Sequence, residues 1–337
     1  MEAPSPKASM DLLSRADLLE PALLRAAATL GVADVLAEEP ASAVTVAARV
    51  GADASVMTEL LQELAARELL ARDGDTYALT DAMDPLRTDH PMSVRELLRN
   101  DSMLGMSGLS ILRLDHTVHT GEPASLASGT SYWDEVNREP QYLAEWRRQV
   151  ETADASDAPL SWGAQQIVRG YDWSDVEHVV DVGGHIGSVL LSLLRAQSHL
   201  RGTMVDIGHP ATVASERFAR SDVAERATVV DSSFFDPLPA GGDVYVLSAI
   251  LADWTDDDAE RILRRCAEAA RPGGKVLLAE VAMPMDTSAT RLRMRSMMPA
   301  PDRSTTSLIS LAERAGLRLS WQADGDDGRS LLELIPV

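Results

Sequence analysis

At 337 residues and 45% hydrophobic content the chain has room for two packed domains. Its 52 acidic against 31 basic residues give a formal net charge of -21, which repels nucleic acid and anionic membrane and excludes both as expected partners. The single cysteine, Cys266, cannot form an internal disulfide, no apolar run is long enough to span a bilayer, and residues 1–10 lack a basic start followed by an apolar stretch. The expectation is a cytoplasmic protein.

From residue 11 to 72 apolar side chains recur at helical spacing, with breaks at Gly31, Pro40 and Gly51-Ala-Asp53, which predicts several short helices. Asp73-Gly-Asp75 then turns the chain into a short strand at 76–79, and helices followed by a hairpin have the order of a winged helix. A DNA-binding role is excluded by charge, because the helix at 58–70 that would enter a groove offers Arg67 against Glu59, Glu63 and Glu68. A structural, dimerising module remains. Its leucines at 12, 13, 18, 19, 23 and 24 exceed what one small domain can cover, which predicts a homodimer.

Residues 84–170 are helical by period and rich in Met and Trp, including Met92, Met103, Met106, Trp133, Trp146 and Trp162. Much of this is core, yet flexible thioethers and broad indoles also suit a pocket for a flat aromatic ligand. Strands then alternate with helices, at 179–182, 203–206, 228–231, 244–249 and 275–281, and a hairpin pairs 318–323 with 331–335. That alternation predicts an α/β fold with a doubly wound parallel sheet. The expected domains are 1–84, a helical middle segment 85–170 and an α/β domain 171–337.

The most informative stretch is His178-Val-Val-Asp-Val-Gly-Gly-His-Ile-Gly187, a buried strand that runs into a glycine turn and opens an apolar helix. Gly-x-Gly-x-x-Gly, the mark of an NAD site, is absent. On these residues the chain resembles class I S-adenosylmethionine (SAM) dependent methyltransferases, in particular the bacterial small-molecule O-methyltransferases that decorate polyketides. The resemblance covers nearly the whole chain and implies a Rossmann-like sheet ending in an antiparallel hairpin, with an N-terminal, winged-helix-like dimerisation domain. It places SAM against Asp181, Gly183, Gly184, Gly187, Asp206 and Ser233. Asp206 ends the next strand, where a carboxylate can accept both ribose hydroxyls.

Three positions depart from the family pattern. His185 stands where a third glycine is usual, Ser232-Ser233 replaces a Gly-Asp pair whose Asp binds the adenine amino group, and Ala252 replaces the His that acts as general base, beside retained Asp253 and Trp254. Together they predict weak or absent SAM binding and a tailoring enzyme that does not methylate its aromatic polyketide substrate but hydroxylates, couples or cyclises it. The alternatives are an active SAM-dependent O-methyltransferase on a phenolic polyketide and a non-catalytic dimeric binding protein.

In the non-methylating reading imidazoles move the protons: His116 first, which matches a His common in this segment of polyketide-tailoring relatives, then His185 and His119, with Asp253 as a further candidate. His116 and His119 share a helix face, but with no third ligand evident no metal is expected. The expected substrate pocket comprises Met103, Met106, Trp133, Trp146, Trp254, Arg291, Arg295 and Met298, the arginines reading an anionic group.

Overall fold

The computed structural model describes residues 6–124, 130–155, 164–270, 272–281, 288–299, 303–324 and 329–337. Trp162 lies outside the described residues. Two compact units comprise Met1–Leu109 and Ser110–Val337, so the expected boundaries at 84 and 170 fall within them.

In the first unit four helices, Leu19–Leu30, Val32–Glu38, Ala43–Val50 and Ala54–Ala66, surround Ala27, Val46, Leu61, Leu64 and Met83. Local chemistry sets their ends. Gly31 and Gly51 take left-handed conformations at C-caps, and Ser42 and Asp53 accept the Thr45 and Val56 N–H groups at 3.2 and 2.9 Å as N-caps.

The helical expectation over 11–72 is corrected at two places. Strands β1 (Ala41–Ser42) and β2 (Leu70–Asp73) pair with β3 (Thr76–Leu79) in the antiparallel order β1-β3-β2. Only Leu70 of β2 is buried, so the strand is too short and too exposed to show a two-residue period. Leu23 lies in the core, whereas Leu12, Leu13, Leu18 and Leu19 are exposed.

The second unit is built on seven strands: β4 (His178–Val182), β5 (Arg201–Asp206), β6 (Ala227–Asp231), β7 (Val244–Ser248), β8 (Lys275–Val281), β9 (Leu317–Asp324) and β10 (Arg329–Pro336). Their order is β6-β5-β4-β7-β8-β10-β9, parallel from β6 through β8, with β10 antiparallel to both neighbours. Apolar runs such as Val179 to Val182 and Val244 to Leu247 are buried because helices cover both faces. Cys266 is fully buried in the helix Asp256–Ala269, where desolvation raises its thiol pKa and makes it inert.

Chain order reverses between β4 and β7. The crevice at their carboxyl ends is where an open α/β sheet receives ligands.

Candidate functional site

The floor of that crevice is the turn after β4. Gly183 holds φ 74°, and a Cβ there would meet Ile250 Cδ1 at 2.5 Å, so glycine is required both by conformation and by the close approach of the chain leaving β7. At Gly184 a Cβ would lie 2.4 Å from Met204 Cγ and 2.8 Å from Asp181 Oδ2. Asp181 itself is buried, and its Oδ2 has no hydrogen-bond partner among the described residues. Burial, reinforced by the charge of Asp206, pushes its carboxyl up to about 7.

Asp206 ends β5 with both oxygens directed by backbone amides: Oδ2 accepts from His185 N and Oδ1 from Ile207 N, each at 2.7 Å. Burial raises its pKa to about 6, against the lowering effect of those two bonds. Each oxygen keeps a lone pair for a further donor.

His185 is the first departure from the family pattern. The residue holds φ 57° and sends its imidazole edge-on to Trp146, with ring centroids 4.6 Å apart, while its backbone N–H donates to Asp206 Oδ2. The residue is exposed overall, and desolvation of its ring lowers its pKa to about 4. The imidazole is neutral at pH 7 and a weak proton acceptor. Trp146 is buried, with Nε1 donating to Val136 O at 2.7 Å, and acts as a wall behind His185.

After β6, Ser232 N donates to Asp206 O at 3.0 Å and Ser233 Oγ accepts from Phe235 N at 3.2 Å. The serines thus close the loop, and the Ser233 hydroxyl hydrogen remains available as a donor. Phe234 lies against Gly183, and Phe234, Phe235 and Trp254 meet one another edge to face, with centroids 4.9 to 5.5 Å apart, forming an aromatic wall beside the crevice.

The chain leaving β7 makes a 3-10 turn, Leu251–Asp253. Two residues missed at the sequence level fix it from below. Glu280, buried on β8, accepts Ile250 N and Leu251 N through Oε1 at 3.1 and 3.0 Å, and Arg303 donates to the carbonyls of Leu251 and Trp254. The only sign of Glu280 in the sequence is a lone charge in the apolar run Val276-Leu-Leu-Ala-Glu-Val281. Asp253 accepts a hydrogen bond from the Trp133 side chain, and burial beside the Glu280 charge pushes its carboxyl up to about 7.

The remaining candidates lie on other elements of the chain. His116 is half-buried and His119 exposed on the helix Leu114–Thr120, which packs against the helix Ser288–Met297. That second helix is pinned by the Ser296 hydroxyl to Ser110 at 3.0 Å; it carries Arg291 and Arg295 exposed, with Met298 buried just beyond. Met103 is buried and Met106 half-buried in the first unit. Among the described residues no group of three or more His, Cys, Asp or Glu could hold a metal ion.

The O-methyltransferase domain family matches residues 113–318, and the O-methyltransferase dimerisation domain family matches residues 14–99. The chain is 41% identical over 314 residues, 92% of its length and 93% of the relative's, to the 2,7-dihydroxy-5-methyl-1-naphthoate 7-O-methyltransferase of Streptomyces carzinostaticus. It is 32% identical over 319 residues, 90% of its length and 83% of the relative's, to aclacinomycin 10-hydroxylase RdmB of Streptomyces purpurascens. Among solved structures it resembles the O-methyltransferase NcsB1 of neocarzinostatin biosynthesis in complex with SAM and 2-hydroxy-5-methyl naphthoic acid, with a TM-score of 0.81 and 38% identity over 96% of this chain and 98% of that one.

Proposed function

This chain belongs to the O-methyltransferase family, and from that premise we propose that it uses SAM to methylate a phenolic hydroxyl of a hydroxylated aromatic acid of the naphthoate type. The observation that carries the reading is Asp206, a buried carboxylate at the crevice whose two oxygens are oriented by the His185 and Ile207 amides and still have capacity for the two ribose hydroxyls.

The rest of the site fits the same cofactor. Asp181 offers a buried oxygen without a partner to the cationic amino acid end, the glycine turn lets backbone approach, and Ser233 stands where a base would lie. Bound there, SAM supplies an electrophilic methyl group on a sulfonium. The protein's own residues bind and orient: Asp206 fixes the ribose, while Phe234, Phe235 and Trp254 exclude water from one wall.

This replaces the non-methylating reading. That expectation treated His185 and Ser233 as lost contacts, but the backbone amide of His185 makes the bond to Asp206 that a glycine there would make, and the relatives named for O-methyl transfer include one 41% identical over almost the full length. The chain is accordingly read as a homodimer through its dimerisation domain, with the exposed leucines of residues 12–19 as the interface.

The test is mass spectrometry of 2,7-dihydroxy-5-methyl-1-naphthoate and 1,4-dihydroxy-2-naphthoate incubated with the protein, with and without SAM. A product heavier by one methylene, formed only with SAM, is expected. A product heavier by one oxygen, or product formed equally without SAM, would overturn the proposal.

A further inference from the structure

If the chain methylates a phenol, something must take the phenol's proton, and Ala252 cannot. The turn that carries Ala252 nevertheless ends one residue later in a carboxylate. Its position relative to the crevice is set by Ile250, whose Cδ1 comes close enough to Gly183 to exclude any Cβ there. Asp253 is thus held on the same short turn that overhangs the cofactor loop.

That turn is rigid for identifiable reasons. Its amides are held by Glu280 and its carbonyls by Arg303, whose guanidinium is committed to Leu251 O, Trp254 O and Asp256. Asp253 forms no ion pair with any described cation, and its one side-chain donor is Trp133, from the helix Tyr132–Arg138 that follows the segment rich in Met and Trp. The charged and titratable groups that act on it or on its immediate neighbours are Glu280 from β8, Tyr132 and Glu145 from the helical segment, and Arg303 behind the turn.

We propose that Asp253 is the general base of this enzyme, a catalytic residue that accepts the acceptor hydroxyl's proton in place of the histidine its relatives carry one position earlier. The claim rests on the O-methyltransferase reading. In the step, the phenol O–H bond breaks with its proton passing to the Asp253 carboxylate, the oxygen forms a bond to the methyl carbon, and the C–S electron pair returns to sulfur, leaving S-adenosylhomocysteine and the aryl methyl ether.

Three features suit Asp253 to this work. It is half-buried on a rigid turn, partly screened from bulk solvent while still reachable by a substrate hydroxyl. Its carboxyl, raised to about 7, is matched to an acceptor working near neutrality, where an ordinary carboxylate is too weak a base. Trp133 donates to the ionised form and fixes its orientation, so the Trp133 indole is a positioning residue with a readable effect: removing it raises the pKa further.

The experiment uses the full-length protein with saturating SAM and 2,7-dihydroxy-5-methyl-1-naphthoate, and compares wild type, Asp253→Asn and Trp133→Phe. Wild-type kcat should rise with pH through a midpoint near 7. Asp253→Asn should lose roughly 10²–10⁴-fold in kcat, the usual contribution of an acid–base group, with SAM affinity by calorimetry unchanged. Trp133→Phe should shift the acid limb to higher pH.

Independently of turnover, the difference in tryptophan emission between wild type and Trp133→Phe should titrate near pH 7, and that titration should vanish in Asp253→Asn. A flat difference spectrum, or full kcat with an unchanged pH profile in Asp253→Asn, would overturn the assignment. Failure of the methyltransferase reading shows itself differently, as a wild type that forms no methylated product with SAM, whereas failure of the base assignment alone shows itself as full methylation by Asp253→Asn.

Discussion

The two lips of the crevice tolerate substitution differently. On the side of β4, β5 and β6 the contacts are made mostly by backbone: the amides of His185 and Ile207 hold Asp206, and Ser232 N binds Asp206 O. A side chain can change there with little loss, which is how His185 occupies a glycine's position. On the side of β7 the work belongs to a side chain, and Ala252 removes it outright. The consequence is that the first lip keeps its function under sequence drift, whereas the second must recruit a neighbour, Asp253.

The largest expected effect on cofactor affinity falls on the first lip. Asp206→Ala removes an acceptor of charge-assisted hydrogen bonds, each worth about 1.5–3 kcal/mol, so the SAM dissociation constant should rise by roughly a hundredfold or more by calorimetry. A change of less than about tenfold would show that the backbone alone holds the nucleotide.

Next comes Asp181. Its folded pKa of about 7 lies above the ordinary 3.8, so the folded protein binds more protons in that interval and this group's contribution to stability falls as pH rises through it. Asp181→Asn has no such titration. Relative to the variant, wild type without cofactor should lose stability by at most about 1.4 kcal/mol per pH unit between these values, read from urea midpoints, and parallel pH curves would contradict the burial argument.

Gly184→Ala sharpens the same side, because its Cβ would press on Met204 and Asp181, costing about 1–3 kcal/mol of stability by urea unfolding. The smallest effect should be His185→Gly. It removes the edge contact with Trp146, worth about 0.5–1.5 kcal/mol, but keeps the amide on Asp206, so SAM affinity should change by less than about tenfold. A larger loss would show that the imidazole itself contacts the cofactor.

The parallel sheet was legible because strands buried on both faces read as apolar runs, and the ends of the predicted strands move by two residues at most. The strands β1 and β2 were not, since short half-exposed strands carry no periodic signal. At the site, Asp206 was legible from its distance to the glycine turn. The direction of the His185 ring was not, because sequence reports bulk and cannot report where a left-handed residue sends its side chain. Asp253 was legible as a further candidate beside a missing histidine, but its setting next to Glu280 and the indole of Trp133 was not. His116 and His119 drew attention by residue type and, for His116, by the family resemblance; the structure places them half-buried and exposed on the helix Leu114–Thr120.

The central claim is that this crevice still binds SAM despite its altered turn. Isothermal titration of the purified wild-type protein with SAM tests it most directly: the account predicts saturable binding with a low micromolar dissociation constant, and no detectable heat at millimolar SAM would contradict it.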